Sequence, residues 1–296
     1  MTINISCGHQ LTIFHFNDVY NIEPAKIEPQ GGAARMVTTY KSIRDRNPMV
    51  LFSGDCLNPS MISSVEKGNQ MLPVFEALNV SCAVLGNHEF DFGLEVLENF
   101  MGRCSFPWLL SNVLDKCTGE IIAGAKETHM VDWNGIKVGL LGLAEQDWLV
   151  TLPTLDFTDM VFTDYVACAT DLSERLRQQG ADVVIALTHM RMKNDITLAE
   201  KVPGVDIILG GHDHDYHIEQ IEGRYIIKSG TDFQNASIIT LNMTPDKKIG
   251  SVDIEEITLD STVIEDEPMK DIVDSYLGNV IIITSKLTLC LRMISI

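Results

Sequence analysis

The sequence predicts an α/β layered sandwich. Three observations point there. Short apolar runs alternate with amphipathic, helix-like segments from position 11 to about 209, several strand-like runs follow one another after that, and the apolar share is 45% of 296 residues. A chain of this length and composition can bury a sizeable core, and βαβα alternation followed by β segments is the pattern of helices layered on sheets. One domain over residues 9–265 is expected.

Residues 11–16, Leu-Thr-Ile-Phe-His-Phe, read as a buried first strand that ends at Asn17-Asp18. A loop with Pro24 and Pro29 leads to Gly31-Gly32, which opens a helix running to about Arg46. Met49 to Phe52 is a second strand closed by Ser53-Gly54-Asp55, and residues 67–78 form a helix with Met71, Leu72, Phe75 and Leu78 on one face. The third strand, Cys82 to Leu85, runs into Gly86-Asn87-His88-Glu89-Phe90-Asp91, where Gly86 is read as a sharp turn. A helix over Leu94 to Met101 and a fourth strand over Pro107 to Leu110 follow. Asn134-Gly135 marks a hairpin within 120–142. Residues 163–179 form a helix with Tyr165, Ala169, Leu172 and Leu176 inward, Asp182 to Leu187 is a strand leaving through Thr188-His189, and 194–201 is a short helix. Val205 to Leu209 is a strand exiting into Gly210-Gly211-His212-Asp213-His214, and strands at 225–229, 236–243 and 249–258 complete the domain. Residues 265–276 are acidic and helix-like; the apolar, acid-free run 279–296 reads either as a loosely ordered tail or as a packed terminal strand.

The net charge of −19 disfavours non-specific binding to nucleic-acid polymers or anionic membranes. A phosphate-bearing substrate would need a local positive centre, which metal ions supply. Seven cysteines without a C-x-x-C pair argue against a disulfide framework and a structural zinc knot, and most are expected to be small buried apolar residues. Met1 to Gln10 has no basic start followed by an apolar run, so no secretory leader is expected and the cytoplasm is the expected compartment.

Five apolar runs end in polar clusters: Asp18, Asp55, Asn87-His88, His189, and His212 with His214. In open α/β sheets the carboxyl ends of strands form the ligand crevice, so these residues should converge. Singly, each is most often a turn residue or a helix cap; five together are hard to assign to turns. Carboxylate, imidazole and amide oxygen without thiolate suit a catalytic divalent ion such as manganese, zinc, iron or magnesium. Asn87 is expected to hold a metal. His88 is expected to serve the chemistry, oriented by Asp91 if a helical turn begins there.

These motifs resemble the calcineurin-like metallophosphoesterases, and within them the amino-terminal catalytic domain of the 5′-nucleotidase family. The matching pieces are Phe16-Asn17-Asp18, Gly54-Asp55, Gly86-Asn87-His88-Glu89, Thr188-His189 and Gly211-His212-Asp213-His214. The resemblance implies an αββα sandwich with mixed β-sheets and two divalent metal ions. Asp55 would bridge them, Asp18 and His214 would hold the first, and Asn87, His189 and His212 the second. A hydroxide shared by the metals would attack phosphorus, with His88 assisting and Asp91 steadying it. The implied substrate is a small phosphorylated molecule, with nucleotides, sugar phosphates and phosphodiesters as candidates. Two departures stand out. The family's first motif runs Asp-x-His, and here Tyr20 takes the histidine's place, so the first metal either has one protein ligand fewer, the favoured reading, or takes Tyr20 instead. The carboxy-terminal domain with which family nucleotidases clasp the base is not expected within this chain. A protein serine/threonine phosphatase is disfavoured because Cys56-Leu57-Asn58-Pro59 follows Gly54-Asp55 where those enzymes carry Val-Asp-Arg-Gly. A non-catalytic module that keeps the fold and binds metal or phosphate is the alternative from another class.

Overall fold

Strand β1, Gln10–Phe16, alternates between two covered faces, as a period of two requires. Leu11 and Ile13 join one apolar cluster while Phe14 and Phe16 join another. The computed structural model describes the backbone of residues 10–148 and 160–294, and the side chains among these up to residue 282. The stretch read for a leader lies, up to residue 9, outside the described residues, as do the side chains of Cys7 and Cys290.

Further elements, in chain order, are α1 (Ala33–Ile43), β2 (Met49–Phe52), α2 (Met61–Glu66), α3 (Leu72–Leu78), β3 (Val80–Val84), α4 (Leu94–Arg103), β4 (Trp108–Leu109), β5 (Val113–Asp115), β6 (Thr128–Trp133) and β7 (Ile136–Ala144). After them come β8 (Met160–Phe162), α5 (Tyr165–Gln178), β9 (Val183–His189), α6 (Met192–Lys201), β10 (Ile207–Gly210), β11 (Tyr216–Ile221), β12 (Arg224–Ser229), β13 (Asn235–Met243), β14 (Ile249–Thr258) and α7 (Glu267–Ile294).

Among the described residues two six-stranded sheets form, ordered β14-β13-β1-β2-β3-β4 and β11-β12-β10-β9-β7-β6. The first is parallel from β1 to β4 with β13 and β14 antiparallel; the second is parallel through β7, β9, β10 and β12 with antiparallel edges β6 and β11. Residues of both sheets, among them Ile13, Leu51, Val84, Leu140, Ile185 and Leu209, share one core. The other face of the first sheet packs on α1, α3, α4 and α7, and that of the second on α5 and α6. The result is the αββα sandwich with mixed sheets. Its parallel strands bring their carboxyl ends to the same rim.

Several local readings need correction. The helix read over 67–78 starts later: Lys67 and Gly68 stand in the left-handed region at φ 48° and 92°, Asn69–Met71 form a 3₁₀ turn, and α3 follows from Leu72 with Pro73 in its first turn. Met61–Glu66 is itself helical, opened by a Ser60–Ser63 capping box. Strand β11 went unread because it is a half-exposed polar edge, joined to β12 by Glu222-Gly223 rather than by an Asn-Gly turn. The run after residue 279 continues the helix α7 up to Ile294 and is not a strand; Met269, Val273 and Val280 on that helix are buried against the first core. Among five described free cysteines only Cys56 and Cys82 are buried, and Cys117 is exposed, so burial holds for fewer of them than expected. Among the described residues no helix is long and apolar enough to cross a membrane.

Candidate metal centre

The rim where the parallel strands end gathers every candidate residue named from the sequence. Asp18 follows β1, Asp55 follows β2, Asn87 and His88 follow β3, His189 ends β9, and His212 and His214 follow β10. Asp18, Asp55, His212 and His214 all adopt positive φ, between 52° and 81°, a region that non-glycine residues rarely occupy and that costs about 1–3 kcal/mol each. Four such residues in one cluster mean that the surrounding hydrogen bonds hold the backbone where the side chains are needed.

Those hydrogen bonds also divide the oxygens of each carboxylate. Asp18 Oδ2 accepts from Asn17 Nδ2 at 2.7 Å and from the His212 backbone N–H at 2.8 Å, which leaves Oδ1 facing the cluster. Asp55 Oδ1 accepts from the His88 backbone N–H at 2.8 Å, which leaves Oδ2 facing inward. The buried His189 donates Nδ1–H to the Ser53 carbonyl at 2.8 Å. That bond fixes the tautomer, so the neutral ring offers its lone pair at Nε2. Nε2 lies 3.1 Å from Asp55 Oδ2 and 4.0 Å from Asp18 Oδ1 but is aligned for a hydrogen bond with neither, so it is a buried nitrogen without a partner. His212 Nδ1 faces Asn87 Oδ1 at 3.1 Å, and its Nε2 faces the buried Glu145 at 3.4 Å. Asp55, His189 and His212 bring ligand atoms within 4.8 Å of one another.

Close approach also explains the glycines. Gly86 has φ −98° and is extended, so the sharp turn expected there is not its role. A Cβ on Gly86 would sit 2.2 Å from Asp55 Oδ1, and one on Gly211 would sit 2.4 Å from the Ser53 carbonyl oxygen. The loops need room to converge, not freedom to turn.

Charge follows from this geometry. Burial opposes the His189 imidazolium, but the Asp55 and Asp18 carboxylates outweigh it and raise its pKa. Burial alone would raise Asp55; the facing His189 and the His88 N–H more than offset it and lower the carboxyl. Burial and the neighbouring His189 together lower His212. Two inward carboxylate oxygens and an imidazole nitrogen without a hydrogen-bond partner thus face one another in a cluster that favours positive charge. The donor set of carboxylates, imidazoles and an amide, with no thiolate, fits a divalent cation such as manganese, zinc or magnesium.

On the more open side, Asn87 to Phe90 form a single 3₁₀ turn, and it brings His88 Nδ1 2.7 Å from Asp91 Oδ2. Asn58 Nδ2 holds the same Asp91 oxygen at 2.6 Å. Burial works against the charged His88 ring, while Asp91 and Asp55 favour it and the net shift is upward. The His88 and His214 side chains are 28% and 49% exposed, against 0% for Asp18 and His189, so a ligand reaches the cluster from their side.

Four contributors were not assigned site roles from the sequence. Glu89 accepts the backbone N–H groups of Asp55, Cys56 and Gly86 at 2.6–2.8 Å and straps two ligand loops together. Glu145 supports His212. Lys228 and Asp195, both buried, lie behind the loops. Glu89 stands three residues after Gly86, a capping-box spacing, but its grip on Asp55 and Cys56 and the roles of the other three depend on partners distant in sequence, so the fully buried charges are visible only once the fold is known.

The comparisons with known proteins follow the same lines. The family model of the calcineurin-like phosphoesterases matches residues 11–216. The 5′-nucleotidase of Diplobatis ommata is 32% identical over 222 residues, covering 70% of this chain and 38% of that protein. The chain therefore spans about two fifths of the length of the curated relatives it matches. Among solved structures, the 5′-nucleotidase precursor of Thermus thermophilus superposes with a TM-score of 0.83 at 21% identity, covering 92% of this chain and 59% of that one. A calcineurin-like phosphoesterase of Bacillus subtilis superposes at 0.82 with 19% identity, covering 92% and 98%. At these identities the superpositions speak for a shared fold; the motif-bearing match over residues 11–216 goes further, and by it the chain belongs to the calcineurin-like phosphoesterases.

Proposed function

We propose that the chain is a metal-dependent hydrolase of phosphoric esters, a phosphomonoesterase of the 5′-nucleotidase type that acts on a small phosphorylated substrate such as a nucleotide. The observation that carries this reading is the convergence of Asp18, Asp55, Asn87, His189 and His212 around a buried imidazole nitrogen with no hydrogen-bond partner among the described residues. Asp55 would be shared by two cations, with Asp18 and His214 completing the first site and Asn87, His189 and His212 the second. When bound, the cations supply the positive charge and Lewis acidity that a phosphate dianion needs in a chain of net charge −19.

The chain's own residues do the rest. His189 and His212 are held in defined orientations by Ser53 and Glu145, so they meet a cation without reorganising. Asp91 accepts a hydrogen bond from His88 Nδ1–H, which directs Nε2 away from Asp91 and favours the charged form of the ring. From the accessible side, that imidazolium is positioned to stabilise phosphoryl oxygens or to protonate the leaving alcohol.

The test is a phosphate-release screen over nucleoside monophosphates, sugar phosphates and phosphodiesters. The protein is stripped with chelator and reconstituted with manganese, zinc or magnesium. Release from monoesters that returns only with metal supports the proposal. Cation binding without turnover on any ester would instead make the chain a binding module.

A further inference from the structure

Building on the metal-dependent reading, we infer that the two halves of the cluster take up cations unequally: the Asp55–His189–His212 side fills first, and the Asp18–His214 side is held by the Tyr20 hydroxyl and fills only when that hydroxyl gives way. Three atoms from three separate loops meet at this one oxygen. Tyr20 Oη lies 3.1 Å from Asp18 Oδ1, 3.0 Å from Asp55 Oδ2 and 2.8 Å from His214 Nε2. The two carboxylate atoms are the inward-facing ones, since the other oxygen of each is committed to backbone N–H or amide donors. A hydroxyl has one proton and two lone pairs. It can donate to one carboxylate and accept from His214, and in doing so it occupies the donors that a first-site cation would need.

The second half is different. Among the described residues His189 Nε2 has no hydrogen-bond partner, and the ligand atoms of His189, His212 and Asp55 lie within 4.8 Å of one another. A cation binds oxygen or nitrogen ligands at about 2.0–2.6 Å, closer than the 2.8–3.1 Å at which the three donors surround the hydroxyl. A cation using all three therefore takes the hydroxyl's place. Tyr20 is not free to swing aside at will. Its side chain is 6% exposed, its backbone N–H donates to Asp232 Oδ1 at 2.9 Å, and its ring stands edge-on to His88 with centroids 5.7 Å apart. The hydroxyl works as an internal placeholder, and the second cation must compete with it.

The experiment counts metal, independently of turnover. Chelator-stripped wild-type chain, Tyr20→His, Tyr20→Phe and Asp55→Ala are dialysed against a series of manganese concentrations. Bound metal is measured by elemental analysis, and exchange-coupled manganese pairs are detected by electron paramagnetic resonance. Wild type is expected to bind one ion and then a second at least about tenfold more weakly, the scale of one or two hydrogen bonds. Tyr20→His, which exchanges the hydroxyl for a nitrogen donor, should bring the second affinity to within a few-fold of the first and show the coupled pair at low manganese. Tyr20→Phe should tighten the second site by a smaller factor, and it serves alone if Tyr20→His does not fold. Two equal ions in wild type, or a second site unchanged in both Tyr20 variants, would overturn the placeholder while leaving the metal-dependent reading intact. No binding by wild type, or binding unchanged in Asp55→Ala, would overturn that reading itself.

Discussion

Two charged clusters lie close to one another where the strand ends of the two sheets meet, and they are built on opposite terms. In the inner one, Lys228 is 1% exposed and its ammonium reaches Asp195 Oδ2 at 3.0 Å, Asp213 Oδ2 at 2.8 Å, and the carbonyl oxygens of Met190 and Gly211 at 2.6 Å. The protein supplies both signs of charge, and the cation is a side chain. In the rim cluster, Asp18 and Asp55 face histidines with no lysine or arginine among them, and His189 Nε2 has no hydrogen-bond partner. The first cluster carries its own counter-charge, while the second is arranged around a charge to be brought from outside. The two are linked: Met190 and Gly211, gripped by Lys228, adjoin His189 and His212 in sequence. A structural ion cluster fixes the backbone on which a ligand-binding one stands.

This contrast can be broken in five ways. Lys228→Met leaves two carboxylates and two carbonyls without their cation, and is expected to destabilise the fold by about 3–5 kcal/mol in urea titrations; a loss below about 1 kcal/mol would show that the inner cluster is not what secures the loops. His88→Ala should keep bound metal and fold but lower turnover by about 10²–10³-fold, as for other lost electrostatic donors; unchanged kcat removes His88 from the chemistry. Manganese at about a hundred times its Kd should stabilise wild type by about 2.7 kcal/mol and leave Asp55→Ala unmoved in thermal melts. An equal response in both would place the ion elsewhere.

An effect that is smaller per pH unit follows from burial of a histidine. Burial, aided by the nearby Lys228 charge, holds His15 down to about 3, against 6.5 when unfolded. Its contribution is fully present above pH 6.5 and is lost as pH falls from 6.5 towards 3, because only the unfolded chain binds the proton there. The metal-free protein should lose about 1.4 kcal/mol per pH unit from this residue within that window, and His15→Gln should show a flatter slope. Smallest of all, Arg175→Ala breaks an exposed pair with Glu127 at 3.0 Å and should change stability by less than about 1 kcal/mol. A larger loss would mean that exposed ion pairs matter here as much as the buried ones.

Much of the rim could be read before folding because each candidate ligand follows an apolar run directly. Asp18, Asp55 and His212 sit within three residues of a strand's end, and local alternation identifies those strands. Even the His88–Asp91 contact was legible, since one 3₁₀ turn spans it. The late start of the helix after Gly68 carried a signal, a glycine followed by Pro73 in the first turn of α3, that face-counting overrode. Other features had none. The polar edge β11 takes its shape from pairing with β12, and α7 continues through a β-branched run because Met269, Val273 and Val280 pack on the first core. Gly86 was chosen for the wrong reason, because the need for space beside Asp55 is a property of two loops and not of one.

The sequence by itself determined the alternation of elements, the residue types at the strand ends and hence the kind of ion they suit, because periodicity and ligand chemistry are local. Only the tertiary structure decided which oxygen of Asp18 and Asp55 faces inward, which nitrogen of His189 stays unpartnered, and that Tyr20 sits among Asp18, Asp55 and His214. Such choices depend on hydrogen bonds between residues up to about two hundred positions apart, and those bonds form only when the strand ends of both sheets meet at one rim.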